Sequence, residues 1–543
     1  MKTVLRSLLS LMAICAVQMG MANNVQVNNI ALVNQNTTAG LNNAANHTFV
    51  QFDLTWDNSW RNSAGPANWD AAWVFVKFQV FGSPEWQHAT LSATDLHHTI
   101  ANNNGTAMTI DAAANGRGVM VHRTNNGTGT INLTGVRMRW NYRSDNVVHD
   151  TANVTVRVFA VEMVYIPEGE FFIGDGTLTT PSPSTSAYRI NNVGNNRPVL
   201  VNAKNVTFNF LDGSAASGTV PFAYNPLDAR AHSVLSTFPK GFAAFYTMKY
   251  ELSVQQYTDF FNCLRSDITT AKNNRNISSG QPSRCTFAWT GSPLTDATPG
   301  IGANRPQGNF SWQDFYAYAD WAGMRPMTEF EFEKLNRGTD RTGASPGVAV
   351  YPVNGEYAWG ENANILSVSS TTHLINDGTA SEGIASAQPN MNVVTGLTSG
   401  PVRCGIFAAK NATSNQRRQS GATYYGVMEM TGSLEEYVVP ATRFYRPGSC
   451  QSTIYDFTNT THGDGNIDQS TGVASTQLFI NSEASYPFPL TKRGGFYSTG
   501  RRVSERYDNI GLNPSSPCNG YQVGVTSRQP SAGCRAVISN NQF

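Results

Sequence analysis

Apolar and polar residues alternate through the first part of the chain. Val50, Phe52, Leu54 and Trp56 alternate with Gln51, Asp53 and Thr55, the period-two pattern of a strand buried on one face. Val136, Met138, Trp140 and Tyr142 alternate with Arg137, Arg139 and Asn141 in the same way, and Val154, Val156 and Val158 with Thr155 and Arg157. The stretch WVFVKFQVF is more continuously apolar, as a strand covered on both faces would be. Asn/Gly-rich turns such as NNNG and TNNGTG separate these segments. Residues 23–160 therefore read as an all-β sandwich.

Beyond residue 160 the pattern changes. MVYIPEGEFFIGDG reads as a strand that opens a second domain, 161–543. Residues 176–240 are rich in Pro, Ser, Asn and Gly and read as an ordered insertion or surface loop. Three helix starts follow. Ser253 with Gln256 fits a capping box ahead of the apolar stripe Val254, Tyr257, Phe260, Phe261 and Leu264. Ser311 with Asp314 starts a helix that carries Phe315, Ala319 and Ala322, and Thr328 with Glu331 opens TEFEFEKLNRG. After residue 340 only loops and short strands are read. The whole is an α+β chain with a loop-rich second domain.

Composition adds compartment more than chemistry. The 543 residues hold 38 basic and 37 acidic side chains, so charge gives no argument for nucleic acid or an acidic membrane surface. Lys2 and Arg6 precede the apolar run LLSLMAICAV, and small residues end at Ala22. This is the layout of a signal peptide, 1–22, with secretion or the cell envelope as destination. Lipidation at Cys15 is the minor alternative, because Ile14 stands where a small residue belongs. No later segment reads as transmembrane. Cys263, Cys285, Cys404, Cys450, Cys518 and Cys534 remain. An exported chain with an even count suggests disulfides. Proximity pairs Cys263 with Cys285 and Cys518 with Cys534, leaving Cys404 with Cys450. Buried free thiols are the alternative.

Common catalytic signatures are missing: no P-loop, no GxGxxG after a strand, no HExxH. GASPG spells a GxSxG around Ser345, but Pro346 lacks the N–H an oxyanion hole would need there. Asp464, Asn466 and Asp468 start like an EF-hand loop. Gln469 then occupies the turn-glycine position and Ser475 the bidentate glutamate position, so a plain turn is expected. His97 and His98 adjoin, but neighbours on a strand point to opposite faces.

Several stretches, in order, resemble the formylglycine-generating enzyme (sulfatase-modifying factor) family. They are MVYIPEGEFFIG, FPKGFAAFYTMKYELSVQQYTDFFN, RPQGNFSWQDFYAYADWAGMRPMTEFEFEKLNRG, YAWGENANI, YYGVMEMTGSLEEYV, RGGFYSTGRR and SAGCRAV. The resemblance implies a loop-rich, C-type-lectin-like fold for the second domain. The wording is similar to a secreted branch found mainly in Bacteroidota and spirochaetes, some of whose members serve gliding motility and protein secretion without being enzymes. The family enzyme binds copper through two cysteines just after its RGG motif. Those positions fall on Thr499 and Ser504, whose hydroxyls cannot hold soft Cu(I). No copper or iron is therefore expected, and catalysis is expected to be lost.

The resemblance also implies structural calcium. Glu429, Gly432, Leu434 and Glu436 match one site, with two carboxylates and two backbone carbonyls as hard oxygen donors. Asn364 and Ile365 match the start of a second. Arg493, Gly494, Gly495 and Arg535 are expected to serve the fold. Tyr497, Arg501, Arg502, Arg506 and Tyr507 would lie on the surface around the former active-site groove, where relatives display ligand-binding residues. The expected function is a calcium-stabilised binding or structural module at the cell surface, with a protein or glycan ligand. A metal-dependent oxidoreductase and a component of a surface, secretion or adhesion assembly are the alternatives.

Overall fold

The computed structural model describes residues 25–145, 149–174, 238–265, 267–277, 302–339, 349–363, 400–408, 416–439, 462–475, 491–504 and 527–543 as continuous stretches, with short pieces between them. Strands dominate, with few helices.

The N-terminal sandwich is present. One sheet has the order Gln26–Asn36, His47–Arg61, Gly127–Trp140, Thr99–Asn102. The alternation read from the sequence is its register: Val50, Phe52, Leu54 and Trp56 point into a core with Ile131, Leu133, Val136, Met138 and Trp140. Gln51, Asp53 and Thr55 on the other face are half-buried. Burying one such large apolar side chain contributes roughly 1.5–3 kcal/mol.

The facing sheet does not stop at residue 160. Its order is Arg325–Pro326, Ala536–Ser539, Phe245–Met248, Val154–Ile166, Asp70–Val80, Val119–Arg123, Met108–Ala112. A single strand, Val154–Ile166, crosses the expected boundary, pairing along Asp70–Val80 and then with Phe245–Met248. The two modules thus share one sheet, and a cut at 160 would fall inside a strand. WVFVKFQVF explains how this is possible. Ala72, Val74, Val76 and Phe78 face the sandwich core. Ala71, Trp73 and Phe75 face a second core with Tyr257, Phe260 and Trp321. The Trp73 indole N–H also donates to the Ala322 carbonyl at 2.9 Å.

All three capping boxes form. Ser253, Ser311 and Thr328 accept from the backbone N–H three residues on, and Gln256, Asp314 and Glu331 reach back to the cap N–H. The helices they open are Val254–Phe261, Trp312–Trp321 and Glu329–Arg337, and between them lies Thr269–Arg275. Glu329–Arg337 is buried throughout, and its Glu331, Glu333 and Arg337 are ion-paired. Glu331 pairs with Arg325, Glu333 with Arg337 and Arg493, and Arg337 also with Glu356.

The segment with EF-hand letters is a turn packed on the end of Trp312–Trp321. The Asp464 N–H donates to Asp320 Oδ1 at 2.8 Å, and the Ser475 N–H to Oδ2 at 2.7 Å. Most of 176–240, residues 1–22 and Ser345 lie outside the described residues. Among the described residues no helix is long and apolar enough to cross a membrane.

Candidate functional site: a buried carboxylate and arginine turn

The stretch from Glu429 to Glu436 is a tight turn leading into the strand Glu435–Val438. Glu429, Gly432 and Ser433 have φ of 65°, 85° and 62°. For Glu and Ser that region is sparsely populated and costs about 1–3 kcal/mol each, so surrounding contacts must impose it. They do. The Gly432 N–H donates to the Gly494 carbonyl at 2.8 Å. Ser433 Oγ donates to Glu251 Oε2 at 2.5 Å and the Leu434 N–H to Oε1 at 2.9 Å. Thr431 Oγ1 accepts from the Ala358 N–H at 3.1 Å and donates to the Arg501 carbonyl at 3.3 Å.

Arg535 is the cation of this turn and is fully buried. Its Nε lies 3.0 and 3.2 Å from the two Glu436 oxygens, and Nη2 2.9 Å from Oε1. Its remaining N–H groups reach the Met248 and Met428 carbonyls at 2.7 and 2.9 Å. This fork geometry suits a guanidinium and not an ammonium.

Three buried carboxylates share the site: Glu251, Glu429 and Glu436. Burial, then the Glu436 and Glu429 charges, drives Glu251 well above the carboxylate range. Burial also raises Glu436, against the pull of Arg535. Burial pushes Glu429 up to about 7, although the Gly405 N–H, Arg535 and Arg403 favour its charged form. Glu429 Oε1 accepts from the Gly405 N–H, while Oε2 is buried with no hydrogen-bond partner. The turn therefore carries more negative charge than its arginines offset, and a proton or a cation would relieve it.

The donor set suits a hard cation in part. Glu429 offers a free buried oxygen, and the Gly432 and Leu434 carbonyls belong to the same turn. Glu436 would have to share its oxygens with Arg535. Among the described residues no three His, Cys, Asp or Glu side chains converge as a metal-binding group, but the expected set needs only two carboxylates. Sequence reasoning found Glu429 and Glu436 and missed Glu251. Nothing in MKYELS distinguishes Glu251 from a solvated residue.

The RGG stretch buttresses this turn. Arg493 is fully buried, donating from Nη2 to Glu333 Oε1 at 2.5 Å and from Nη1 to the Ser504 carbonyl at 3.0 Å. Gly494 has φ 85°, and a Cβ there would stand 2.9 Å from the Met430 carbonyl oxygen, so only glycine fits. A hairpin follows, Gly495–Phe496 paired with Thr499–Gly500. Thr499 is exposed on it, whereas Ser504 is buried. Tyr497, Arg501 and Arg502 are half-buried. Tyr497 meets Phe496 edge-on and the Arg502 guanidinium covers Gly355, so these two side chains are partly engaged in packing. Arg506, the Tyr507 side chain, Asn364 and Ile365 lie outside the described residues.

The cysteines of the described residues are buried. Cys263 and Cys534 stand as free thiols, while Cys285, Cys450 and Cys518 lie outside the described residues. Burial pushes Cys263 up to about 11 and Cys534 well above the usual thiol value, the opposite of what a metal-binding thiolate needs. His98 is buried with Nε2 2.8 Å from the Ser92 carbonyl, and His97 Nδ1 lies 2.7 Å from Ser92 Oγ, so both act locally.

Outside the turn, a cleft of about 340 Å³ opens at the rim of the sandwich, lined by Gln35, Trp140, Tyr142, His149, Asp150 and Val154 among others. The Asp150 carboxylate there accepts from Tyr142 Oη at 2.7 Å and from Asn46 Nδ2 at 3.0 Å.

Residues 216–453 match the family of the sulfatase-modifying factor enzyme 1-like domain. The chain thus carries a domain of this family, and the match includes Glu251, Glu429 and Glu436 but ends before Thr499 and Ser504. No curated protein matches the chain.

Proposed function

We propose that this is an exported binding or structural protein whose sulfatase-modifying factor-like domain is stabilised by calcium and has lost formylglycine-generating chemistry. The observation that carries the loss is Thr499 and Ser504. The positions that resemble the enzyme's copper-binding cysteines hold hydroxyls, one exposed and one buried behind Arg493. The free thiols that are described, Cys263 and Cys534, are buried and held protonated. In this reading the loop-rich C-terminal part takes a C-type-lectin-like fold. Calcium would be held by Glu429 Oε2, the Gly432 and Leu434 carbonyls and Glu436, supplying the positive charge that the turn lacks.

Binding then falls to surfaces. The rim cleft combines an apolar floor, amides and a carboxylate, as a site for a polar ligand such as a glycan or peptide does. Leu41, Phe81 and Leu96 are each at least 80% exposed and offer apolar contact for a protein partner.

The test is an activity assay. The purified protein is incubated with copper, oxygen and a cysteine-containing peptide, and aldehyde is trapped with a hydrazide. The expected yield equals that of a protein-free control. Aldehyde above that level, lost in a variant of any chain cysteine, would establish an oxidoreductase instead.

A further inference from the structure

Asp70, Glu162 and Lys249 stand on three neighbouring strands of the sheet that joins the two modules. Asp70 opens Asp70–Val80 and Glu162 lies in Val154–Ile166. Lys249 follows Phe245–Met248, its N–H donating to the Glu162 carbonyl at 2.9 Å. Lys249 Nζ lies 3.1 Å from Glu162 Oε2 and 3.6 Å from Asp70 Oδ2. The three side chains are 1%, 2% and 0% exposed. The Trp60 ring centre is 4.8 Å from Nζ and the Tyr250 ring centre 5.4 Å, closing the site to water.

Asp70 is set up as an electrophile. Its Oδ1 accepts from Ser59 Oγ at 2.8 Å and the Trp60 N–H at 2.9 Å, and its Oδ2 from Trp56 Nε1 at 3.1 Å. Fixed donors on both oxygens are what a tetrahedral intermediate at Cγ requires. An amine held this close to a carboxyl reacts as if at an effective concentration of up to ~10⁵–10⁸ M when the geometry is right.

We propose that Lys249 and Asp70 condense into an amide bond that covalently ties the N-terminal module to the second domain, with Glu162 as the proton carrier. The Lys249 ammonium first gives a proton to the Glu162 carboxylate. The neutral amine attacks Asp70 Cγ, forming the C–N bond and placing negative charge on the oxygens held by Ser59, Trp60 and Trp56. Glu162 passes that proton to the departing hydroxyl of the Asp70 carboxyl, the C–O bond breaks and water leaves, and Glu162 takes the remaining extra proton from the new amide nitrogen. An ammonium, a protonated carboxyl and the Glu162 carboxylate become one amide, one water and a protonated Glu162, with no oxidant or cofactor. The product also removes two buried charges, whose desolvation is costly. Burial raises Asp70 above its ordinary value, favouring the protonated carboxyl that loses hydroxide most readily. The carboxylates and Tyr250 hold the Lys249 ammonium above its ordinary value against burial, so the proton transfer to Glu162 is the step that must come first.

The experiment is protease digestion and tandem mass spectrometry of the purified full chain. The expected result is a branched peptide joining the segments around Asp70 and Lys249, lighter by one water than the two segments together. Glu162→Gln and Lys249→Arg keep size and hydrogen bonding and are each expected to return separate peptides of full mass. Asp70→Asn should give the same branched peptide by loss of ammonia. Separate unlinked peptides from the unaltered protein, or a water deficit that persists in Lys249→Arg, would overturn the proposal.

Discussion

Arg535→Ala is expected to cost the protein about 3–5 kcal/mol, the penalty for breaking a buried ion pair from one side. Typical stabilities run to about 5–15 kcal/mol, so this change removes a large part of the fold's margin. Glu436 would lose its bidentate partner, and the Met248 and Met428 carbonyls the N–H groups that reach them. Glu251 and Glu429 would lose the cation that favours their charged forms. Arg535→Lys keeps the charge but not the fork and is expected to fall between the two. Urea denaturation followed by tryptophan fluorescence reads both. A loss below about 1 kcal/mol for Arg535→Ala would mean that the turn is neutral without its arginine.

The second large effect is a pH dependence specific to Glu429. Its carboxyl is raised from 4.5 to about 7 in the fold. Between those values the folded state binds more protons than the unfolded state, so this group's contribution to stability falls as pH rises from about 4.5 through about 7. At about 1.4 kcal/mol per pH unit the total is roughly 3 kcal/mol. His88 and His462 are lowered well below 6.5 by burial. They act oppositely, since their contribution grows as pH rises toward the unfolded value, but they are common to wild type and variant. In calcium-free buffer, Glu429→Gln is therefore expected to gain on wild type from pH 5 to pH 8. Added calcium should stabilise wild type at pH 8 and leave Glu429→Gln nearly unmoved. Parallel pH profiles for the two proteins would show that Glu429 titrates as an ordinary carboxyl.

What the sequence revealed was local. Each capping box was legible because both partners lie within one helical turn. The strand around Phe52 was legible because one buried face imposes a period of two. The doubly covered strand around Phe75 was legible from its unbroken apolar run. The boundary at residue 160 failed because sheet continuity is a long-range property. A usable signal was present, since Val154 to Ile166 contains no Gly, Pro, Asn or Asp to end a strand. Glu251 was illegible for the same reason. Its role comes from the Ser433 and Leu434 groups that the turn delivers to it, far along the chain. The sequence places Tyr497, Arg501 and Arg502 at a binding surface, and in the fold all three are half-buried.

Metal content of the purified mature protein, by inductively coupled plasma mass spectrometry after dialysis against calcium-containing buffer, tests the central claim most directly. The account predicts stoichiometric calcium, absent from Glu429→Gln, with neither copper nor iron. Stoichiometric copper or iron, or a protein free of calcium, would contradict it.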